Sequence, residues 1–134
     1  MDEPLFLTLD EVLRLHDYQI EHFGGDPDVH DIRLVESAIN QPLMMWQYLQ
    51  PDLASLAAAY LYHIVQNHGF KDGNKRTGAH AAIAFLGMNN VDLDYPVDAT
   101  EALTLGVAKG EVSKDQVIEF FRKLLEGPRA ALEA

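Results

Sequence analysis

The chain is organised around one polar decapeptide, His68-Gly69-Phe70-Lys71-Asp72-Gly73-Asn74-Lys75-Arg76-Thr77. It combines a histidine, a carboxylate, an amide, two glycines and three cationic side chains, and it lies between two long apolar segments. A connection between buried helices has no packing reason to be this polar. The decapeptide therefore predicts a central helical pair joined by a short loop, and a loop that handles phosphate.

The segment before this loop has the clearest helical pattern of the chain. Asp52 can cap the helix, and apolar residues then recur at the i, i+3, i+4, i+7 spacing, namely Leu53, Leu56, Ala57, Tyr60, Leu61, Ile64 and Val65. Continuing that stripe at about 100° per residue places position 68 near its centre. We therefore expect His68 to point inward from the last turn, and Gly69 to end the helix.

The segment after the loop predicts a second buried helix, from Asn74 or Lys75 to Met88. It is apolar nearly all round and rich in alanine, which would let a neighbouring helix approach closely. Two earlier helices are indicated. A capping box, Thr8 with Glu11, starts a helix of about 14 residues that ends before the Gly24-Gly25 pair.

The second helix is capped by Asp31, and Pro42 should end or kink it. A fifth helix starts at Asp98 or Thr100. A sixth follows a second capping box, Ser113 with Gln116 three residues on, and runs to about position 125.

Only residues 6–9 and 91–95 have a pattern compatible with strand. The fold class expected is all-α, a compact bundle of about six helices in one domain spanning 1–134, with a frayed tail at 127–134.

Composition excludes several function classes. The net charge of −11 is unfavourable for direct nucleic-acid binding and for an anionic membrane surface. The absence of cysteine excludes disulfides, a thiol nucleophile and cysteine metal sites. The acidic N-terminus is unlike a signal peptide, and no apolar run reaches the roughly 20 residues of a membrane span. We expect a cytoplasmic protein.

The loop carries the elements of phosphoryl or nucleotidyl transfer. A helix N-terminus offers free N–H groups, and Gly73 lets a ligand approach the backbone. Lys75 and Arg76 in the first turn oppose the helix dipole, so a bound polyanion is the expected compensation. Asp72 suits Mg²⁺ shared with phosphates, and His68 suits proton abstraction from a hydroxyl. The alternatives are that Asp72 is a plain N-cap and His68 a core residue.

The other histidines give weaker signals. His16-Asp17 and His30-Asp31 resemble halves of a metal-dependent phosphohydrolase site, which would need further ligands from other helices. His63 and His80 are expected to be structural or surface residues. The decapeptide is no Walker P-loop, because Asn74 stands where that motif has glycine and a helix precedes it.

The pattern His68-x-Phe70-x-Asp72-Gly73-Asn74-Lys75-Arg76 closely resembles the signature of the Doc (death-on-curing) toxins, a branch of the Fic superfamily. The flanking segments and the length are also similar. The resemblance implies that His68 is the general base and that Asp72 binds Mg²⁺. It further implies that the Gly73 backbone, Asn74, Lys75 and Arg76 hold the phosphates of ATP.

Lys75 bears on the group that is transferred. Fic enzymes usually have glycine there and transfer AMP to protein hydroxyls. The resemblance to Doc toxins implies instead a kinase that passes the γ-phosphate to a threonine of elongation factor Tu and arrests translation. Fic-like AMP transfer and a non-catalytic partner-binding module are the alternatives.

The resemblance also implies a toxin–antitoxin module. The chain lacks the Ser/Thr-x-x-x-Glu-Gly/Asn motif of an inhibitory helix, so restraint would come from a Phd-like antitoxin whose C-terminal segment folds into a helix on the toxin. One departure from the family pattern is Asp28, where glycine is common. The segment Met44–Leu49 lies where Fic relatives have a target-docking flap, although Trp46 could equally lie at the edge of the core.

Overall fold

The computed structural model describes residues 2–133, and the side chains of residues 2–126. Its helices are α1 (Leu9–Phe23), α2 (Ile32–Leu49), α3 (Leu53–Asn67), α4 (Asn74–Met88), α5 (Val97–Ala108) and α6 (Lys114–Glu133). Between residues 2 and 133 no strand is present, and the extended pairing there is one isolated bridge between Val29 and Phe70. The all-α prediction with six helices is confirmed. In the described part of the chain no helix is long and apolar enough to cross a membrane.

The helix starts follow the local capping signals. The Thr8 hydroxyl accepts from the Glu11 N–H while the Glu11 carboxylate accepts from the Thr8 N–H, which is the predicted capping box. Asp31 and Asp52 accept from backbone N–H groups at the starts of α2 and α3. Ser113 makes the second reciprocal box with its partner three residues on. These caps satisfy N–H groups that would otherwise lack partners, so they fix where α1, α2, α3 and α6 begin.

Of the two outcomes predicted for Pro42, an end or a kink, the end is wrong. Helix α2 continues through Pro42 to Leu49, although proline cannot donate the bond expected at that position. Its buried residues, Val35, Ala38, Pro42 and Trp46, lie on one face and pack on the core. That burial outweighs the missing hydrogen bond. Trp46 is thus a core residue, while Tyr48 at the end of the same helix is 81% exposed.

The last two helices differ slightly from expectation. Helix α5 begins at Val97, one residue before the earliest start predicted. Helix α6 continues past the predicted end near position 125 to Glu133. The predicted frayed tail at 127–134 lies outside the residues whose side chains are described.

Helix α3 is the centre of the bundle and packs against α2, α4, α5 and α6. Every residue from Ala54 to Leu61 is buried. Helix α4 approaches α3 closely at Gly78, where an added Cβ would lie 2.8 Å from Val65 Cγ2 and 3.1 Å from the Leu61 carbonyl oxygen. This confirms the predicted central pair, and it shows that a missing side chain sets the spacing of the two helices that flank the loop.

Gly78→Ala should lower the free energy of unfolding by about 1–3 kcal/mol, because the new methyl group overpacks the α3–α4 contact. Gly87→Ala is the matched control on the same helix, since nothing lies within 4 Å of a Cβ there. It should raise stability by up to about 1 kcal/mol through helix propensity alone. Chemical denaturation of both variants measures the difference, and a Gly78→Ala protein at least as stable as wild type would contradict this packing argument.

His63 gives the fold a pH dependence. Its Nε2 is buried and has no hydrogen-bond partner among the described residues, and burial lowers the pKa of His63 to about 4, with the charge of Lys114 adding to the effect. In the unfolded chain the histidine pKa is about 6.5. The unfolded state therefore binds the proton first as pH falls, so the stability that comes from neutral His63 is complete above about pH 6.5 and is lost toward pH 4.

Wild type should therefore lose more unfolding free energy between about pH 7.5 and about pH 5 than His63→Leu, which cannot titrate at this position. Urea unfolding at the two pH values gives the comparison. Equal losses in both proteins would show that His63 does not contribute.

Candidate active site

The loop between α3 and α4 begins with a left-handed residue. Helix α3 ends at Asn67, and His68 is its C-cap with φ of 51° and an exposed side chain. The prediction that His68 points inward is therefore wrong, because the helical phase does not extend through a left-handed residue. Gly69 follows in close contact with α2, where an added Cβ would lie 2.6 Å from Val35 Cγ2. Glycine is required there for close packing.

Asn74 closes the loop from inside. Its Oδ1 accepts from the Phe70 N–H at 3.0 Å and its Nδ2 donates to the Phe70 carbonyl at 2.8 Å. The side chain is only 5% exposed. Sequence reasoning predicted Asn74 as a phosphate ligand, but its amide is committed to the loop, which leaves its backbone N–H for a ligand.

The same amide determines which nitrogen of His68 carries the proton. Asn74 Nδ2 lies 3.2 Å from His68 Nδ1, and the two bonds to Phe70 fix that nitrogen as the donor. His68 Nδ1 therefore accepts. A neutral imidazole then carries its proton on Nε2.

The first turn of α4 has no side-chain cap. Its N-cap is Gly73, with φ of 85°, and the first bond of the turn runs from the Thr77 N–H to the Gly73 carbonyl at 2.9 Å. Among the described residues, nothing accepts from the N–H groups of positions 73–76. The alternative that Asp72 is an N-cap is thereby excluded. Lys75 and Arg76 are exposed in this turn, so free N–H groups and two cations together make a candidate anion site.

Asp72 is held by neighbouring segments while its side chain stays exposed. Its Oδ2 accepts from the Asp26 N–H at 2.7 Å, and His16 Nε2 lies 2.7 Å from its backbone carbonyl oxygen. Lys71 forms an ion pair with Asp26 at 3.0 Å. In the described part of the chain no three His, Cys, Asp or Glu side chains cluster as a metal site. The donors present fit a divalent cation that takes Asp72 and the oxygens of a bound phosphate.

A cleft of about 590 Å³ opens beside this anion site. Residues 73–76 line it together with the rings of Phe23 and Tyr95 and with parts of α5. The Arg76 guanidinium carbon lies 4.4 Å from the centroid of the Phe23 ring, a cation–π contact. His80 also lines the cleft, and burial lowers the pKa of His80, with a further contribution from Arg76. The cleft is mostly apolar and lies beside free N–H groups and two cationic side chains. It therefore has the size and character of a nucleotide pocket.

Comparison with known proteins agrees with this geometry. A family model described as the Fic/DOC family matches residues 6–86, which include the loop, all of α3 and most of α4. The chain belongs to the Fic/Doc family.

Two curated relatives are similar over most of the chain. "Protein kinase doc" of Escherichia phage P1 is 36% identical over 120 residues, which cover 88% of this chain and 94% of the relative. "Toxin Doc" of Mycolicibacterium smegmatis is 37% identical over 99 residues, which cover 71% of this chain and 76% of the relative. The resemblance to Doc toxins inferred from the loop is confirmed.

Sequence reasoning missed one residue that shapes the Fic/Doc loop. His16 was considered as half of a metal site, yet it is 1% exposed and its ring stacks on Phe70 with centroids 3.8 Å apart. The available signal was its place on the buried face of α1, between Val12 and Gln19. His30 is exposed and Asp31 caps α2, so the other half of that metal-site hypothesis has a plain structural explanation.

Proposed function

We propose that this chain is the toxin of a toxin–antitoxin module and acts as a protein kinase of the Doc type. It would transfer the γ-phosphate of ATP to a threonine hydroxyl of elongation factor Tu and so arrest translation. The observation that carries the proposal is the uncapped first turn of α4, with Lys75 and Arg76 beside a cleft of nucleotide size. The names of the two relatives, a protein kinase and a toxin, support the same class.

The phosphate-binding roles follow from charge and position. The N–H groups of residues 73–76 would bind phosphate oxygens, while Lys75 and Arg76 would neutralise their charge. Mg²⁺, held by Asp72 and the phosphates, would offset further negative charge at the reacting group. Phosphoryl transfer needs mainly such positioning and electrostatic stabilisation, and the loop supplies both.

His68 is proposed as the general base. The target hydroxyl oxygen bonds to the γ-phosphorus, the bond from that phosphorus to the bridging oxygen breaks, and ADP leaves while the hydroxyl proton passes to His68. In the structure His68 Nδ1 faces the Asn74 amide, so the ring has to release this contact before a nitrogen lone pair can face the target. Release of this one hydrogen bond at 3.2 Å costs about 0.5–1.5 kcal/mol, which is modest.

The partners follow from the same proposal. A Phd-like antitoxin would bind through a C-terminal segment that folds into a helix on the toxin. The target, elongation factor Tu, places the activity in the cytoplasm. ATP and Mg²⁺ are the small-molecule requirements.

The competing function is Fic-like AMP transfer to a protein hydroxyl. The α4 N-terminus would bind either end of a triphosphate, so this alternative is chemically open. Lys75 favours the kinase, because it adds a full charge where AMP-transferring relatives usually have glycine. A non-catalytic module is the third reading, and the complete signature argues against it.

ATP labelled at the γ position should label purified elongation factor Tu when incubated with this protein and Mg²⁺. ATP labelled at the α position is the matched control and should leave the target unlabelled. Label from the α position alone would establish AMP transfer and refute the kinase proposal. If neither substrate labels elongation factor Tu but γ-label reaches another protein in a cell extract, the activity stands and the target is wrong.

His68→Ala should reduce the rate of γ-phosphate transfer about 10²–10⁴-fold, as loss of a general base does. Its free energy of unfolding should fall by no more than about 1–2 kcal/mol, because His68 is exposed and makes one side-chain hydrogen bond, while alanine is less favourable at the left-handed φ of 51°. His30→Ala is the control, since it removes another exposed histidine outside the loop. Growth inhibition that persists in His68→Ala cells would favour the non-catalytic module.

A further inference from the structure

His16 reaches the loop from a different part of the chain. It lies on α1, 56 positions before Asp72, and its Nε2 is 2.7 Å from the Asp72 carbonyl oxygen. Its ring stacks on Phe70 almost in parallel, at an interplanar angle of 8°. The side chain thus makes two separable contacts, a flat apolar one and a single polar one.

The direction of the hydrogen bond between His16 and the Asp72 carbonyl is fixed. A carbonyl oxygen only accepts, so His16 Nε2 carries the proton and donates. In a trans peptide the C=O and the following N–H point in opposite directions, and the described residues contain no cis peptide. Because the Asp72 carbonyl faces His16, the Gly73 N–H faces away from His16. That N–H has no partner among the described residues, and Gly73 lines the cleft.

The peptide between Asp72 and Gly73 needs such a restraint. Glycine tolerates many backbone conformations, so the residue that allows the sharp entry into α4 also allows this peptide to rotate. The Asp72 side chain is tied to the Asp26 N–H, but that bond leaves the peptide plane free. His16 is the group that bonds to the peptide itself, and an added Cβ on Gly73 would lie 3.3 Å from His16 Cδ2, so the two residues also abut.

We propose that His16 is a positioning residue, which holds the Asp72–Gly73 peptide so that the Gly73 N–H faces the bound phosphate. The proposal rests on the phosphate site of the proposed function, and it adds a buried residue on α1 to that site. His16 does not touch the ligand. Its effect is transmitted through one hydrogen bond and one peptide plane.

Two substitutions separate the contacts of His16. His16→Phe keeps a ring on Phe70 and removes the donor, whereas His16→Gln loses the ring and keeps an N–H donor at about the reach of Nε2. The readouts are thermal stability, the affinity for inorganic pyrophosphate with Mg²⁺ followed at the Gly73 amide resonance, and kcat/KM for γ-phosphate transfer.

We expect His16→Phe to lose roughly 10–100-fold in pyrophosphate affinity and in kcat/KM, the range typical of groups that orient a ligand-binding group. We expect His16→Gln to stay within a few-fold of wild type in both, even where its melting temperature is lower. If His16→Phe does not fold, His16→Asn takes its place, because its amide ends one bond short of the carbonyl. The proposal would be overturned if pyrophosphate affinity fell with thermal stability instead of with loss of the N–H donor. In that case His16→Gln would bind pyrophosphate more weakly than His16→Phe.

Pyrophosphate binding tests the positioning role of His16 independently of the proposed kinase activity. If wild type transfers no γ-phosphate but pyrophosphate binding depends on the donor as expected, the positioning role stands and the kinase falls. If wild type is an active kinase and His16→Phe binds and reacts as wild type does, the positioning role alone is refuted. No response of the Gly73 amide to pyrophosphate in wild type would refute the positioning role directly.

Discussion

The two hydrogen bonds between the Asn74 amide and the backbone of Phe70 are the constraint on which the site depends. They close the loop over five residues, and they bury Phe70, which becomes the surface on which His16 stacks. The same amide orients the ring of His68. A buried amide with satisfied partners is hard to replace, because an apolar substitute leaves both the Phe70 N–H and C=O without partners. One side chain thus couples the proposed base to the start of α4.

The charges at the start of α4 destabilise the first turn of that helix. An uncapped helix start with Lys75 and Arg76 in its first turn places positive charge at the positive end of the dipole. Helices α1, α2, α3 and α6 begin with side-chain caps, and the chain carries a net charge of −11. Helix α5 also lacks a side-chain cap, but its first turn carries Asp98 and no cation. The uncapped turn with two cations is the start of α4, and it coincides with the cleft. A bound polyanion would relieve the repulsion, so the unfavourable charge arrangement of the free protein is consistent with a site formed for phosphate.

Sequence reasoning recovered what is encoded by neighbouring residues. Capping boxes, the apolar stripe of α3 and the start of α4 all depend on contacts within a few positions, and these predictions were confirmed. The inward orientation of His68 failed because one left-handed residue resets the helical phase. Of the two outcomes predicted for Pro42, the end of the helix failed because tertiary packing outweighed a local rule. His16 could not be placed, since its partner at Asp72 lies in a distant segment and the pairing exists only once α1 packs on α4.

The backbone N–H groups and the Lys75 side chain have different consequences for which group of ATP would be transferred. Backbone N–H groups held by Gly73 and its neighbours bind any phosphate oxygen and do not distinguish one phosphate of ATP from another. Lys75 does, because a terminal phosphate carries about −1.5 to −2 charges near neutral pH, whereas an internal one carries about one. An added cation in the first turn would therefore stabilise the γ-phosphate at this position more than the α-phosphate. Arg76 lies against Phe23 and adds charge to the same turn. In the proposed function, Lys75 is the cation that departs from the usual Fic pattern, so the proposed choice of phosphate transfer over AMP transfer depends on it.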